Sequence, residues 1–163
     1  MRPVLISIVG RKGSGRSQII EKLIADLKQK DLQVGLIKHL AKSGFEIDQP
    51  GKDTDRYRKA GAQTVILSGE KQLAIFCDLD REVPLEKLLL MFAGYDVVLL
   101  EGYFQPELAK IEVHRSELGN PLTQEMGNVL AVVSDTQTSC PITHFGHDER
   151  AGLASFVEEW VSR

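Results

Sequence analysis

Cysteine is scarce in this chain. Two occur in 163 residues, Cys77 and Cys140, far apart and with no C-x-x-C spacing. That excludes a disulfide framework and leaves no paired-thiol motif, so both are expected to be reduced core thiols of a cytoplasmic protein. Excess positive charge is missing too. The net charge is −3, whereas a dedicated nucleic-acid binder clusters Lys and Arg against phosphate backbones. No nucleic-acid partner is expected, although a local basic site around Arg11, Lys12 and Arg16 is compatible with that balance. The apolar run near the start is broken by Gly10, Arg11 and Lys12, too early for a signal peptide or a membrane span, so no membrane partner is expected. There is no repeat, no low-complexity segment and no linker. With 42% apolar and 26% charged residues, one α/β domain over 1–163 can bury a core without metals or disulfides.

What is present begins with Val4 to Lys28. The apolar residues Val4, Leu5, Ile6, Ile8 and Val9 lead into Gly10-Arg11-Lys12-Gly13-Ser14-Gly15-Arg16-Ser17. Ile20, Leu23, Ile24 and Leu27 then recur at helical spacing on one face. A strand, a glycine-rich turn and a helix in that order make a phosphate cradle. The glycines let backbone N–H groups turn inward, and the helix N-terminus adds partial positive charge. The spacing is that of the P-loop, G-x-x-x-x-G-K-[ST], with Arg16 at the lysine position.

Leu32 to Ile37 is expected to form a second strand, completing a βαβ unit with a right-handed crossover. Leu40 to Thr54 lacks periodicity and is expected to be a mobile active-site loop; Asp55 to Ala60 follows as a short helix. Val65 to Leu67 and Leu73 to Phe76 flank Ser68-Gly69-Glu70-Lys71 as a hairpin or tight turn. Pro84 opens a helix through Phe92 that stops at Gly94. Val97 to Leu100 suits a central parallel strand covered on both faces. Lys110 to His114 and Val129 to Val133 are further strands, with loop and some helix over Ser116 to Gly127. A short strand near Ile142 precedes a last helix from about Asp148 to Trp160. The expected fold is a single-domain, three-layer α/β P-loop NTPase fold with a mostly parallel central sheet.

Ligands of such sheets sit beyond the carboxyl ends of the strands. Four strand ends carry polar or charged groups: the loop from Gly10, Lys38-His39, Glu101-Gly102 and Ser134-Asp135. The glycine pattern G-x-x-G-x-G does not fit the dinucleotide fingerprint, and Lys38-His39 stands where a dinucleotide fold wants an acid for the ribose. A nucleoside-triphosphate loop is therefore preferred. Ser17 is placed to bind Mg²⁺ through its hydroxyl, its alternative being a helix-start residue with only a backbone bond. Glu101, after four apolar residues, has the position of a Walker-B acid. Asp53 is either a second acid near the metal or a solvated residue. Asp135 either accepts from the adjacent N–H donors of a guanine edge or serves turn chemistry. His144 and His147 have the spacing of a metal pair but no third ligand, so two loop histidines are expected.

The chain resembles the molybdopterin-guanine dinucleotide biosynthesis protein B (MobB) family over nearly its whole length. The pieces that carry the resemblance are Gly10 to Ser17, Gly35-Leu36-Ile37-Lys38-His39, Phe45-Glu46-Ile47-Asp48 and Pro50-Gly51-Lys52-Asp53-Thr54. Arg56 to Ala62, Leu99-Leu100-Glu101-Gly102-Tyr103, Lys110-Ile111-Glu112-Val113-His114-Arg115 and Ala131-Val132-Val133-Ser134-Asp135 complete the set. The P-loop alone is shared by many functions; the ordered combination is specific. The resemblance implies a GTP-binding homodimer with weak hydrolysis, assisting a MobA-like molybdenum cofactor guanylyltransferase. On it, Gly13, Gly15, Arg16 and Ser17 hold phosphate, Ser17 and Glu101 hold Mg²⁺, and Asp135 lies near guanine. Arg11 matches a signature lysine that in some P-loop proteins reaches phosphate across a dimer. The family usually has Lys at position 16, and a further histidine soon after the one matching His39, where this chain has Leu40, Ala41 and Lys42. Two rivals stand beside that reading: a small-molecule kinase using Lys38, His39 and Asp53, and an anion-binding interaction module.

Overall fold

The structure, a computed structural model, describes residues 2–40, 50–123, 125–137 and 141–163. In chain order the elements are β1 (Val4–Val9), α1 (Arg16–Gln29), β2 (Val34–Lys38), α2 (Asp53–Lys59), β3 (Thr64–Ser68), β4 (Leu73–Cys77), α3 (Leu85–Leu88), β5 (Val97–Glu101), β6 (Ala109–His114), β7 (Val129–Ser134), β8 (Thr143–Phe145) and α4 (Arg150–Val161). They fall into two compact units, Met1–Ala41 with Phe92–Arg163, and Lys42–Met91.

The first unit is a six-stranded sheet in the order β2-β5-β1-β6-β7-β8, with every pairing parallel. Strand β5 sits between β2 and β1 and is buried at every position; a strand covered on both faces needs an apolar run, which Val97 to Leu100 supplies. One face carries Ile6, Ile8, Leu99, Ile111, Val113, Ala131 and Val133 into a core closed by Ile20, Leu23 and Leu27 of α1 and Leu153 and Val157 of α4. Full burial of one such side chain is worth roughly 1.5–3 kcal/mol, and this core is what holds α1 against the sheet.

The other face of β6 is polar and equally buried: Lys110, Glu112 and His114 alternate along it. Lys110 Nζ donates to three backbone carbonyls, Pro106 (3.1 Å), Leu108 (2.7 Å) and Gly127 (3.0 Å). Those three bonds use all three ammonium protons. Burial pulls the Lys110 pKa below its ordinary value, and Glu107 acts in the opposite direction. A register irregularity between β6 and β7 falls between Lys110 and Ile111. Glu112 accepts the Leu122 N–H (2.6 Å) with one oxygen and keeps the other buried and unpartnered.

In the second unit β3 and β4 pair antiparallel, joined through Gly69, whose N–H donates to the Gln72 carbonyl (2.9 Å). Ile66, Leu67, Leu73 and Ile75 stay exposed, Leu73 at 61%. Cys77 lies on the same outward register of β4 and is exposed, which corrects the expectation of a core thiol. Two short strands bury one face at most, and Cys77 falls on the other. Cys140 lies outside the described residues, as do 41–49 of the expected active-site loop.

Other boundaries shift for identifiable reasons. Leu32 does not open β2, because its N–H closes the end of α1 on the Leu27 carbonyl (3.3 Å), with Asp31 left-handed at φ 60°. The helix expected from Pro84 is one α turn followed by a 3-10 turn over Leu89–Phe92; neither piece buries a residue, so nothing extends it as α-helix.

Candidate functional site

The loop between β1 and α1 is fixed from below. Strand β1 pairs with β6 so that Val9 faces Glu112, which places Gly10 beside Val113. A Cβ on Gly10 would lie 2.2 Å from the Val113 carbonyl oxygen, so no other residue fits there. Gly15 turns the chain into α1 in the left-handed conformation, φ 91°, a region costly for other residues; Gly13 has φ 89° and open space around it. Helix α1 starts at Arg16 with no side-chain cap and no acidic residue in its first turn. Its first N–H groups therefore have no intrahelical acceptor and face an anion without competition. The Ser14 hydroxyl is buried and unpartnered, an orphan donor inside the loop. Arg11, Lys12 and Ser17 are exposed, and Arg16 is half-buried. These features fit a phosphate chain.

Register brings Glu101 to the same end of the sheet, opposite Ile8 of β1 and Lys38 of β2. Its carboxylate is 11% exposed and pairs with Lys38 Nζ at 3.1 Å, the lysine being 50% exposed. The His39 N–H donates to the Glu101 carbonyl (2.8 Å), and its ring lies 5.5 Å from that of Tyr103. Gly102, at φ 88°, passes so near that a Cβ would meet the His39 carbonyl at 2.9 Å. Lys38, His39 and Glu101 are thus one polar cluster at adjoining strand ends. Among the described residues no group of three or more His, Cys, Asp or Glu could hold a metal ion. A magnesium ion bound mainly by phosphate oxygens and water needs only one or two protein ligands, such as Ser17 and Glu101.

Asp135 follows β7 and is exposed. Its Oδ1 accepts the Ser116 N–H (2.9 Å) and its Oδ2 the Ser116 hydroxyl (3.1 Å). Those bonds, the backbone one foremost, hold its carboxyl below the ordinary aspartate pKa. Oδ1 also takes the Ser134 hydroxyl in a long bond of 3.5 Å, and Oδ2 retains a second lone pair. Asp53 belongs to the other unit, where it opens α2 and pairs with Arg56 (3.2 Å). His144 Nε2 bonds the Thr136 carbonyl and His147 Nε2 the His114 carbonyl, each at 3.0 Å. Both nitrogens act as donors to backbone carbonyls, and His144 lies on β8 rather than in the loop expected for it.

One residue at this end of the sheet went unnoticed among the strand ends. Arg115 directly follows β6, and a Cβ on Gly15 would lie 3.8 Å from its Nη2 and 3.9 Å from its Nε. The signal in the sequence was available: a cation immediately after a buried strand that neighbours β1.

Comparison with known proteins bears on this geometry. The family described as Molybdopterin guanine dinucleotide synthesis protein B matches residues 5–135. The chain belongs to that family. It is 33% identical over 159 residues to the molybdopterin-guanine dinucleotide biosynthesis adapter protein of Haemophilus influenzae, covering 96% of this chain and 89% of that one. The adapter protein of the same description from Escherichia coli is 30% identical, with 98% and 94% covered. The fold matches the MobB homologue from Bacillus stearothermophilus with a TM-score of 0.74 at 22% identity, covering 97% of each chain. It matches Bacillus subtilis MobB with a TM-score of 0.76 at 22% identity, covering 96% and 97%. The family's P-loop NTPase-like fold is the one expected, and no helix among the described residues is long and apolar enough to cross a membrane.

Proposed function

We propose that the protein is a GTP-binding adapter of molybdenum cofactor biosynthesis, with residues 1–163 acting as one nucleotide-binding domain and hydrolysing GTP slowly. The observation that carries this reading is the uncapped, acid-free start of α1 behind Gly10 and Gly15, in a chain that belongs to the MobB family. Backbone N–H groups from Gly13 to Ser17 bind the phosphates, and Arg16, Arg11 and Lys12 add charge. Ser17 and Glu101 would hold Mg²⁺, which would supply neutralisation of phosphate oxygens. The Lys38–Glu101 pair, half-exposed on the lysine side, would cost little to part. Asp135 meets the guanine N–H edge with its outer lone pairs.

Arg16 sets the rate. A lysine delivers a compact charge between phosphates, whereas a guanidinium is longer, planar and fixed in its donor directions. Ground-state attraction survives, while stabilisation of charge developing in the transition state needs correct placement and suffers. The exposed apolar hairpin of β3 and β4 provides the surface for a homodimer or for a MobA-like guanylyltransferase, since such edges are normally paired or covered. A cytoplasmic location accords with that role.

A second reading draws on the Lys38–Glu101 pair, which already neutralises the Walker-B acid: the loop binds anions without a metal and the protein acts only as an interaction module. Calorimetric titration with GTP and ATP, with Mg²⁺ and with EDTA, decides between the two. Mg²⁺-dependent binding that prefers GTP is expected. Equal affinities for ATP and GTP would defeat the guanine assignment, and binding unaffected by EDTA favours the second reading.

A further inference from the structure

We infer that Arg115 is a phosphate-contacting residue of the loop, and that Asp135 positions it by clamping Ser116. This rests on the nucleotide-binding reading but assigns roles that reading does not contain. Three observations carry it. First, the guanidinium stands at the residue where the loop becomes helix: Nη2 and Nε would be 3.8 and 3.9 Å from a Cβ on Gly15. Nothing closer than Arg115 and the Gln18 side chain occupies that side of Gly15. Second, none of the described residues gives the guanidinium a hydrogen-bond or ion-pair partner. A half-buried cation that pairs with no carboxylate among the described residues, beside uncapped helix N–H groups, offers a planar fork of donors to an oxyanion. Third, the segment that carries it is fixed. Pairing of His114 with Ser134 sets Arg115 and Asp135 at the next register position. The carboxylate then holds Ser116 through both N–H and hydroxyl, while the Leu118 N–H closes onto the Arg115 carbonyl at 3.0 Å.

The arrangement gives Asp135 two jobs on separate lone pairs. Those directed at Ser116 tie the turn after β6 to the end of β7, so the guanidinium keeps its direction towards the loop. A carboxylate that only read guanine would have no effect on a ligand lacking a base.

Inorganic tripolyphosphate supplies that ligand. Its affinity and that of GTP are measured by calorimetry for the parent chain and for Arg115→Ala, Arg115→Lys, Asp135→Ala and the Arg115→Ala/Asp135→Ala double variant, with circular dichroism to verify folding. Loss of a charge-assisted contact predicts about a tenfold weaker tripolyphosphate affinity for Arg115→Ala. Arg115→Lys should recover part of it, because the charge remains and the fork is lost. Asp135→Ala should weaken tripolyphosphate as well as GTP, and should add nothing for tripolyphosphate once Arg115 is alanine. Unchanged affinity in Arg115→Ala overturns the proposal. A loss confined to GTP in Asp135→Ala overturns the positioning role. A parent chain that binds tripolyphosphate in an Arg115-dependent way but not GTP defeats the nucleotide reading alone; one that binds neither defeats both.

Discussion

The two units of this chain solve the problem of apolar residues in opposite ways. In the six-stranded unit β5 is buried at every position, and even charged side chains are enclosed, Lys110 with three backbone acceptors and Glu112 with a donor for one of its two oxygens. In the two-stranded unit Ile66 (57% exposed) and Leu73 (61%) meet solvent, and its charges are paired on the surface, Arg58 with Asp78 and Lys59 with Asp55 (2.7 Å). A six-stranded parallel sheet with helices closes its own core. A hairpin of two five-residue strands cannot, and its apolar face stays exposed. The first unit sets its polar groups on strand ends, and the second leaves apolar surface exposed.

The largest expected contrast is in stability. Lys110→Met removes at once the buried ammonium that gathers the Pro106, Leu108 and Gly127 carbonyls, and should lower unfolding free energy by about 3 kcal/mol, read from urea denaturation. Ile75→Ser on the hairpin should change it by no more than about 0.5 kcal/mol at low protein concentration. Similar costs for both would erase the distinction between the units.

Next in size is the effect at the phosphate loop. Displacement of a catalytic charge by about 1 Å costs on the order of a hundredfold in rate, so Arg16→Lys should raise GTP hydrolysis by up to that factor with little change in affinity. Arg16→Ala should weaken GTP binding about tenfold. A parent protein already as fast as Arg16→Lys would sink the idea that the guanidinium limits turnover. The same hydrolysis assay on Ile75→Ser should show no change under conditions where the protein is monomeric.

Self-association gives a smaller effect of the opposite distribution. Ile75→Ser and Ile66→Ser should shift a homodimer towards 18.1 kDa in light scattering, whereas Arg115→Lys should not. A parent chain that stays at that mass at high concentration rules the hairpin dimer out.

The smallest effect concerns two carboxylates, one in each unit. Asp135 is lowered chiefly by the Ser116 N–H, and Asp78 chiefly by Arg58. A depressed folded-state pKa contributes stability above the unfolded value, about 3.9, and loses it as pH falls through the folded value. Carboxyl NMR titration should find both below the ordinary range. Half-molar salt should restore Asp78 more than Asp135, since an exposed ion pair is screened and a backbone hydrogen bond much less so. Equal salt responses would contradict that difference of cause.

Much of the sheet was legible because its central strands have local apolar signatures: Val4 to Val9, Val97 to Leu100 and Val129 to Val133 announce themselves. The glycine-rich loop was legible through its spacing alone, and the geometric necessity of Gly10 depends on a carbonyl of β6, far away in sequence. Pairings between side chains were hidden. Nothing adjacent to Lys110 in sequence says that its ammonium gathers carbonyls from 106, 108 and 127, and nothing near Asp135 says that it grips Ser116. Those follow from strand order, which brings β6 between β1 and β7. Cys77 was misplaced because composition predicts where cysteines usually sit, while the alternation along β4 decides where this one does.

Strand β1 occupies the middle of the sheet, yet both of its neighbours are made late. Ser7 and Leu100, joined by a hydrogen bond, are 93 residues apart in the chain. At a synthesis rate of about 5–20 residues per second, β1 is in existence for roughly 5 to 20 seconds before either flanking strand is complete. During that interval Ile6, Ile8 and Val9 have no sheet to enter, so the segment that later holds the phosphate loop is the one most dependent on protection while the chain is being made.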